Sequence, residues 1–151
     1  MKMKKMLKVF AFCSITLFAN VTALAAGTAD EATAMVKKAV AHLKAQGKDK
    51  AFADFSNSKE FKNDDLYIFV TDMSGKMQAH GTNPKLVGKD LISLKDADGK
   101  FFVKSYIELV KSKGSGWVDY KWINPSNSAI QTKSTYVEKV DDLIVGCGIY
   151  K

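Results

Sequence analysis

Residues 117–150, WVDYKWINPSNSAIQTKSTYVEKVDDLIVGCGIY, decide the fold because they alternate strand patterns with short turns. Asn124 and Pro125 open a polar turn, and Asp141 with Asp142 forms a second one. Strands joined by turns this short pair antiparallel with their neighbours. The chain therefore ends in a predicted three-strand meander. Its strands are predicted over residues 117–123, about 129–140, and 143–150.

A helix is predicted upstream, where Thr28 and Glu31 form the T-x-x-E pattern of a capping box. The apolar residues that follow recur at helical spacing, and Gly47 ends the pattern. A helix with a single apolar stripe packs against another layer of its domain. The stripe consists of Ala32, Met35, Val36, Ala39, Val40 and Leu43.

The segment between this helix and the meander contains further helical and strand patterns. Helices are predicted at about residues 50–55 and at residues 101–113, and strands at residues 66–71 and 77–80. Residues 56–62 are predicted to be a polar connection. Together with the meander, these elements indicate an α+β domain built on an antiparallel sheet of about five strands.

Residues 1–25 have the pattern of a secretory signal peptide. Four lysines precede an apolar run at residues 9–19, and residues 23–25, ALA, provide an A-x-A cleavage site. We predict cleavage after Ala25 and a periplasmic location, the alternative being an uncleaved membrane anchor. Removing the four lysines lowers the formal net charge from +7 to +3. A charge this small does not indicate a nucleic-acid partner, which requires clustered basic residues.

The residue types that carry most enzyme chemistry are sparse. His42 and His80 are not in metal-ligand spacing, and His42 is expected on the surface of the first helix. Residues 96–99, DADG, match the start of a calcium loop, but the remaining ligands of such a loop are missing. Cys147 follows the signal peptide as a single cysteine and is predicted to be a buried core thiol. We therefore predict no catalytic residues, no metal, no cofactor and no enzyme activity.

A more specific group of residues lies in the first hairpin of the meander. Strand alternation places Val118, Tyr120 and Trp122 on one face. The turn at residues 124–128 then brings Lys133 opposite Tyr120. A Lys ammonium beside a Tyr hydroxyl and a Trp ring suits a small anion such as a short carboxylate. The alternative is that both aromatic residues belong to the core and that Lys133 is solvated.

Several ordered motifs occur between about residues 30 and 151. They are DLYIFVTD (65–72), AH (79–80), NPKLVGKDL (83–91), DADGK (96–100), GWVDYKW (116–122), NP (124–125), KSTYV (133–137) and VGCGIY (145–150). Together these motifs resemble the single Cache domain family. The similarity covers nearly all of the chain that follows the predicted signal peptide.

The resemblance implies a PAS-like fold, with a long N-terminal helix packed on a curved antiparallel sheet of about five strands and a ligand pocket beneath crossing helices. The ligand-binding residues that it implies by position are Tyr120, Lys133, Trp122, Tyr106 and His80. Tyr136 is a further candidate, although alternation places it on the face opposite Lys133 unless a bulge intervenes.

Members of this family are extracytoplasmic sensor modules of chemoreceptors and histidine kinases that act in chemotaxis and signal transduction. The resemblance therefore implies a periplasmic binding or sensing protein for a short monocarboxylate such as acetate, propionate, pyruvate or lactate. Its expected partner is a membrane receptor or sensor kinase. We expect residues 26–151 to form one stand-alone Cache domain, as a monomer or homodimer. The alternative is a protein-interaction module without a ligand, which would pair through its first helix.

Overall fold

The computed structural model describes residues 26–151, which form three α-helices and seven β-strands. The predicted signal peptide lies outside the described residues. Within the described part of the chain, no helix is both long and apolar enough to cross a membrane. The helices are α1 (Ala29–Gln46), α2 (Lys48–Asn57) and α3 (Phe102–Lys113). The strands are β1 (Lys62–Asn63), β2 (Leu66–Tyr67), β3 (Phe69–Asp72), β4 (Met77–His80), β5 (Ser115–Ile123), β6 (Ile130–Val140) and β7 (Leu143–Tyr150).

Five of these strands form one antiparallel sheet in the order β4-β3-β7-β6-β5. The predicted meander is confirmed, because β5 pairs with β6 and β6 pairs with β7 without a shift in register. Helix α1 packs on one face of the sheet, and α3 packs on the other. The predicted α+β architecture with about five strands is therefore confirmed.

The strand predicted at residues 66–71 is interrupted at Ile68. Tyr67 belongs to β2, which pairs with β1, whereas Phe69 begins β3 of the large sheet. Between them, the Ile68 N–H donates to the Phe61 carbonyl at 3.1 Å, and the Ile68 carbonyl accepts from the Gly81 N–H at 2.9 Å. The chain changes its pairing partner at this residue, because both backbone groups of Ile68 are bonded outside the large sheet.

Two local predictions near α2 are wrong. The predicted polar connection includes a 3₁₀ turn, Lys59–Phe61, and the Phe61 side chain is buried. The predicted surface residue His42 is half-buried, with its ring centroid 4.9 Å from that of Phe61. His42 Nε2 also lies 2.7 Å from Asp54 Oδ2 on α2. These contacts join α1, α2 and the 3₁₀ turn into one packed unit.

Helix α1 begins with the predicted capping box. Thr28 Oγ1 accepts from the Glu31 N–H at 3.3 Å, and Glu31 Oε2 accepts from the Thr28 N–H at 2.8 Å. The apolar stripe of α1 packs into a core with Val140, Leu143 and Val145. Its buried members are Ala32, Val36, Ala39, Val40 and Leu43. Since the stripe is covered by the domain's own sheet, it is not available for pairing with a second helix.

The segment between β4 and α3 covers both edges of the large sheet. At the β4 edge, the Met77 N–H donates to the Lys89 carbonyl at 2.9 Å, and the Met77 carbonyl accepts from the Gly88 N–H at 2.8 Å. At the β5 edge, Asp96 Oδ2 accepts from the Lys121 N–H at 2.8 Å. Edge strands with free backbone groups tend to pair with other chains. The segment therefore protects the sheet at these positions from edge-to-edge association.

The Asp96 carboxylate organises the backbone of a turn at residues 96–99, in which the Gly99 N–H donates to the Asp96 carbonyl at 3.0 Å. Its Oδ1 accepts from the N–H groups of Asp98 at 3.0 Å and Lys100 at 2.8 Å. Partial burial opposes ionisation of Asp96, but the N–H groups of Lys121, Lys100 and Asp98 hold its pKa below the ordinary value.

Within residues 26–151, no three His, Cys, Asp or Glu side chains are grouped to hold a metal ion.

The capping box of α1 predicts a specific pair of stability effects. Thr28→Ala should lower the free energy of unfolding by about 1 kcal/mol, because the Glu31 N–H loses its acceptor and the Glu31 carboxylate loses a hydroxyl donor. Thr33→Ala is the matched control, since Thr33 Oγ1 only donates to the Ala29 carbonyl one turn earlier. That change should be neutral or slightly stabilising. Urea denaturation measures both, and equal effects of the two substitutions would contradict the capping role.

Candidate functional site

Lys133 lies on β6, and its side chain is completely buried. Its Nζ donates to the Tyr67 hydroxyl at 2.6 Å. The same nitrogen lies 3.9 Å from the ring centroid of Tyr67 and 4.9 Å from that of Tyr150. The predicted register is confirmed, because Lys133 pairs with Tyr120 on β5, and it also pairs with Tyr150 on β7. The alternative that Lys133 is a solvated strand residue is wrong.

The ammonium of Lys133 has more hydrogen-bonding capacity than its surroundings use. A Lys ammonium carries three N–H donors. Among residues 26–151, Tyr67 provides its hydrogen bond, and no Asp or Glu forms an ion pair with it. Burial opposes the charged form, but the phenols of Tyr67 and Tyr120 outweigh it and raise the pKa of Lys133. The site therefore contains a fixed positive charge with unused donors.

Two glycines of β7 make room for the side chains that cross this face of the sheet. A Cβ at Gly148 would lie 2.5 Å from Lys133 Cε and would overlap Thr135 Oγ1. A Cβ at Gly146 would overlap the Phe69 ring. Gly inside a strand often marks a close approach of neighbouring groups. The aliphatic part of Lys133 can therefore lie across β7 only because residue 148 has no side chain.

An aromatic layer fills the space between this face of the sheet and α3. The rings of Phe102 and Tyr120 stack in parallel, with centroids 4.4 Å apart and an interplanar angle of 4°. Thr135 Oγ1 donates to the Tyr120 hydroxyl at 3.2 Å. The buried Tyr106 hydroxyl on α3 has no hydrogen-bond partner among the described residues. Trp122 is half-buried at the edge of this layer, 5.3 Å from Phe102 between ring centroids.

The tyrosines of this layer remain neutral at physiological pH. Burial, together with the neighbouring phenol of Tyr120, raises the pKa of Tyr106 well above its ordinary value. Burial also raises the pKa of Tyr120, although the Lys133 ammonium lowers it. Both residues are therefore present as O–H groups, and each can donate a hydrogen bond. They supply the site with neutral donors that complement the charged one.

His80, at the end of β4, is buried and uncharged. Its Nδ1 accepts from the N–H groups of Thr82 at 3.3 Å and Asn83 at 3.0 Å. Its ring lies beside Tyr67, with 4.9 Å between centroids. Burial, reinforced by the positive charge of Lys133, lowers the pKa of His80 to about 3. The imidazole is therefore neutral at physiological pH.

A cavity of about 190 Å³ opens beside His80 and Trp122. Its remaining walls come from the loop after β4 and from the end of the β5–β6 hairpin. The lining residues are His80, Thr82, Asn83, Trp122, Ile123 and Pro125. Two of the residues predicted for the site, His80 and Trp122, therefore face a common space.

Tyr136 lies on the opposite face of the sheet from Lys133. The pairing of β6 with both neighbours is regular, so the bulge that would bring both side chains to one face is absent from the described strands. The Tyr136 ring packs 5.5 Å from Trp117 between centroids, and its hydroxyl donates to Glu138 at 3.4 Å. The structure does not bring Tyr136 to the Lys133 site, and we leave it out of the candidate site.

Tyr67, Tyr150 and Gly148 are site residues that the sequence analysis missed. Tyr150 lies one strand from Lys133 in register, and its hydroxyl donates to the Ile123 carbonyl at 2.8 Å. Alternation along β7 would have placed Tyr150 and Gly148 on the face of Lys133. Tyr67 could not have been found in this way, because it precedes the change of pairing partner at Ile68.

Comparison with known proteins identifies the family. A family model described as Single Cache domain 2 matches residues 15–151. The chain belongs to the single Cache domain family. This Cache domain is similar to the solved structure of a methyl-accepting chemotaxis protein from Vibrio parahaemolyticus, with a TM-score of 0.72 and 26% identity over 80% of this chain and 86% of that one. A second solved structure, described as the structural basis for carboxylic acid recognition by a Cache chemosensory domain, gives a TM-score of 0.69 and 29% identity over 80% and 91% of the two chains.

The Cache domain is also similar to parts of two much longer sensor proteins. It is 33% identical over 88 residues to the methyl-accepting chemotaxis protein McpP of Pseudomonas putida, and this match covers 57% of the chain and 16% of that protein. The sensor histidine kinase MctS of Rhizobium johnstonii has the same identity over 88 residues, covering 57% and 19%. The matched segment is thus less than a fifth of the length of either relative.

The family and fold are those of the extracytoplasmic sensor domains that chemoreceptors and sensor kinases carry. The predicted PAS-like Cache fold is therefore confirmed. Sensor domains of this kind are not catalytic by themselves. The Lys133 site is therefore the candidate whose ligand chemistry we consider next.

The depressed pKa of His80 predicts how stability depends on pH. Because the folded pKa is about 3 and the ordinary value is 6.5, the unfolded chain binds the additional proton on acidification. This histidine should therefore remove about 2 kcal/mol of stability between pH 7 and pH 5.

His80→Asn tests this effect, since the Asn side-chain oxygen can replace Nδ1 as the backbone acceptor without titrating. The free energy of unfolding, measured by urea denaturation at both pH values, should depend less on pH in this variant than in the wild type. The same pH dependence in both proteins would show that His80 is not held neutral by the fold.

Proposed function

We propose that this Cache domain binds a short monocarboxylate of the acetate, propionate, pyruvate or lactate class, and that Lys133 pairs with its carboxylate. The observation that carries the proposal is the completely buried ammonium, which has one hydrogen bond among the described residues and two further donors. A carboxylate can accept from these donors and pair with the charge, and charge-assisted hydrogen bonds are stronger than neutral ones.

The charges around Lys133 favour a single carboxylate over two. Lys133 is the cation of the site, because the neighbouring imidazole of His80 is neutral. A dicarboxylate would bring a second charge into surroundings made of aromatic rings and neutral hydroxyls. We therefore expect monoanions to bind more tightly than dianions such as succinate.

The enclosure of the site favours short ligands. Lys133, Tyr67 and Tyr106 are each at most 1% exposed, so a ligand reaches the ammonium only when neighbouring aromatic rings move. A cavity of about 190 Å³ is lined by His80, whose ring packs against the Tyr67 ring that contacts Lys133. Aromatic walls cover a short alkyl part, whereas a long chain would require a larger opening. These features support an acid of two to four carbon atoms.

The cellular role that we propose is extracytoplasmic sensing. Cleavage of residues 1–25 would release residues 26–151 as a periplasmic Cache domain that presents its ligand to a membrane chemoreceptor or sensor kinase. The support is that McpP is a chemotaxis receptor, that MctS is a sensor kinase, and that a solved Cache neighbour is described as recognising carboxylic acid.

Lys133→Met tests the proposed charge pairing. Calorimetric titration of the wild type with acetate, propionate, pyruvate, lactate and succinate should show binding of at least one monoanion and weaker binding of succinate. Lys133→Met should weaken that binding by about 2 kcal/mol or more, since a charge-assisted contact is lost.

Lys139→Met is the matched control, because Lys139 is an exposed lysine of the same strand. Its binding constants should equal those of the wild type. Binding that survives in Lys133→Met, or a wild type that binds none of the acids, would contradict the proposal.

Gly148→Ala tests whether the aliphatic part of Lys133 must lie across β7. The added methyl group occupies the space of Lys133 Cε and should displace the ammonium, whereas Gly146→Ala meets the Phe69 ring instead. Both substitutions should lower the thermal midpoint, but Gly148→Ala should weaken carboxylate binding by about tenfold more than Gly146→Ala. Equal losses of affinity in the two variants would mean that Gly148 has no special relation to Lys133.

A further inference from the structure

Asp65 is a buried carboxylate with few partners in the described part of the chain. Its side chain belongs to a residue that is only 4% exposed. Oδ1 accepts from the Gly27 N–H at 3.0 Å, which is the hydrogen bond that residues 26–151 provide to this carboxylate. None of the ion pairs among these residues includes Asp65. Because aspartate is rarely buried without a charged partner, Asp65 indicates a cation close to it.

A cavity of about 130 Å³ lies beside Asp65 at the start of α1. It is lined by residues 26–28, by Glu31 and by residues 63–65, and every charged residue in this lining is acidic. The Glu31 carboxylate already accepts from the Thr28 N–H in the capping box, and Asp64 is exposed. Asp65 is therefore the buried carboxylate of a cavity whose charge suits a small cationic group.

The first residue after the predicted cleavage site lies at this cavity. Cleavage after Ala25 would convert the nitrogen of Ala26 from a neutral amide into an ammonium group that is charged at neutral pH. Three covalent bonds separate the Ala26 and Gly27 nitrogens, so these two atoms are at most about 3.7 Å apart. Because the Gly27 N–H donates to Asp65, rotation within Ala26 can bring the ammonium to the same carboxylate.

We propose that removal of the signal peptide creates an ion pair between the α-ammonium of Ala26 and the buried carboxylate of Asp65. The inference rests on the predicted cleavage after Ala25 and is independent of the ligand proposed for Lys133. In the uncleaved chain the same nitrogen has one N–H and no charge. Processing therefore adds a charge-assisted interaction that the precursor cannot form.

The ion pair fastens the start of α1 to the segment that carries Tyr67. Gly27 packs directly on Leu66, since a Cβ at Gly27 would overlap the Leu66 side chain. Asp65 and Tyr67 flank that leucine, and the Tyr67 hydroxyl accepts from Lys133. An interaction with a buried carboxylate is screened less by solvent than the exposed ion pairs of this domain, so its loss lowers stability measurably.

The first test moves the ammonium and leaves Asp65 in place. The full chain is exported through its own signal sequence, and the intact mass of the purified protein should correspond to residues 26–151. One alanine inserted between Ala25 and Ala26 keeps the A-x-A cleavage site but places the ammonium one residue further from Asp65. The thermal midpoint of this insertion variant should be lower by about 3 °C or more. Retention of residues 1–25, or an unchanged midpoint, would overturn the inference.

Two substitutions separate the ion pair from a general effect of charge. Asp65→Asn keeps an acceptor for the Gly27 N–H but removes the charge, so the midpoint should fall and the inserted alanine should then have little further effect. Asp64→Asn is the matched control, because it removes the same charge from an exposed residue whose φ of 50° asparagine also adopts. In Asp64→Asn the effect of the insertion should be unchanged. Additive effects of the insertion and Asp65→Asn would overturn the pairing.

Amine labelling of the folded proteins detects the ion pair without relying on stability. At neutral pH an amine-selective reagent should modify the α-amino group of the wild type several-fold more slowly than that of the insertion variant. The reason is that a paired ammonium loses its proton less readily and so presents less of the reactive neutral amine. The exposed Lys37 of α1 is the internal reference. Equal rates at the two termini, relative to Lys37, would show that Asp65 does not hold the ammonium.

Discussion

One buried ammonium group determines the arrangement of the α3 face of this domain. Lys133 is completely enclosed, and β2 and β7 contribute the groups that contact its side chain. The strand β7 lacks a side chain at Gly148, where the aliphatic part of the lysine lies, and β2 provides the Tyr67 hydroxyl that accepts from Nζ. A methionine could fill a similar volume, but it has neither a charge nor an N–H group with which to hold the carboxylate that we propose as the ligand.

The two faces of the sheet bury different kinds of side chain. The α1 face is an ordinary apolar core, in which Val36, Val40 and Leu43 pack against the aliphatic residues of β6 and β7. The α3 face is lined by tyrosines whose hydroxyls are buried, and one of these, Tyr106, has no partner among the described residues. Both faces bury apolar side chains, and the α3 face buries these polar groups as well.

Features that depend on pairing between neighbouring strands could be predicted from the sequence. Contacts between segments that are far apart in the chain could not. A short turn fixes the register of β5 and β6, so the position of Lys133 opposite Tyr120 followed from alternation alone. Tyr67 is separated from Lys133 by 66 residues and precedes an unpredicted change of strand partner, so no local pattern indicated it. His42 was misplaced for the same reason, because Asp54 and Phe61 reach it through the packing of a second helix. The orientation of the His80 ring depends on its two backbone contacts, which a sequence does not show.

The segment that covers the sheet edges at Met77 and Lys121 also limits how this domain can be recognised. Strand addition uses backbone groups, which are the same in every protein, so it confers affinity with little discrimination. Where those groups are already occupied, a partner must recognise side chains on helices and loops. Those positions change readily by mutation without disturbing the core. Substitutions at those positions can therefore alter partner recognition by this domain without altering the buried lysine site.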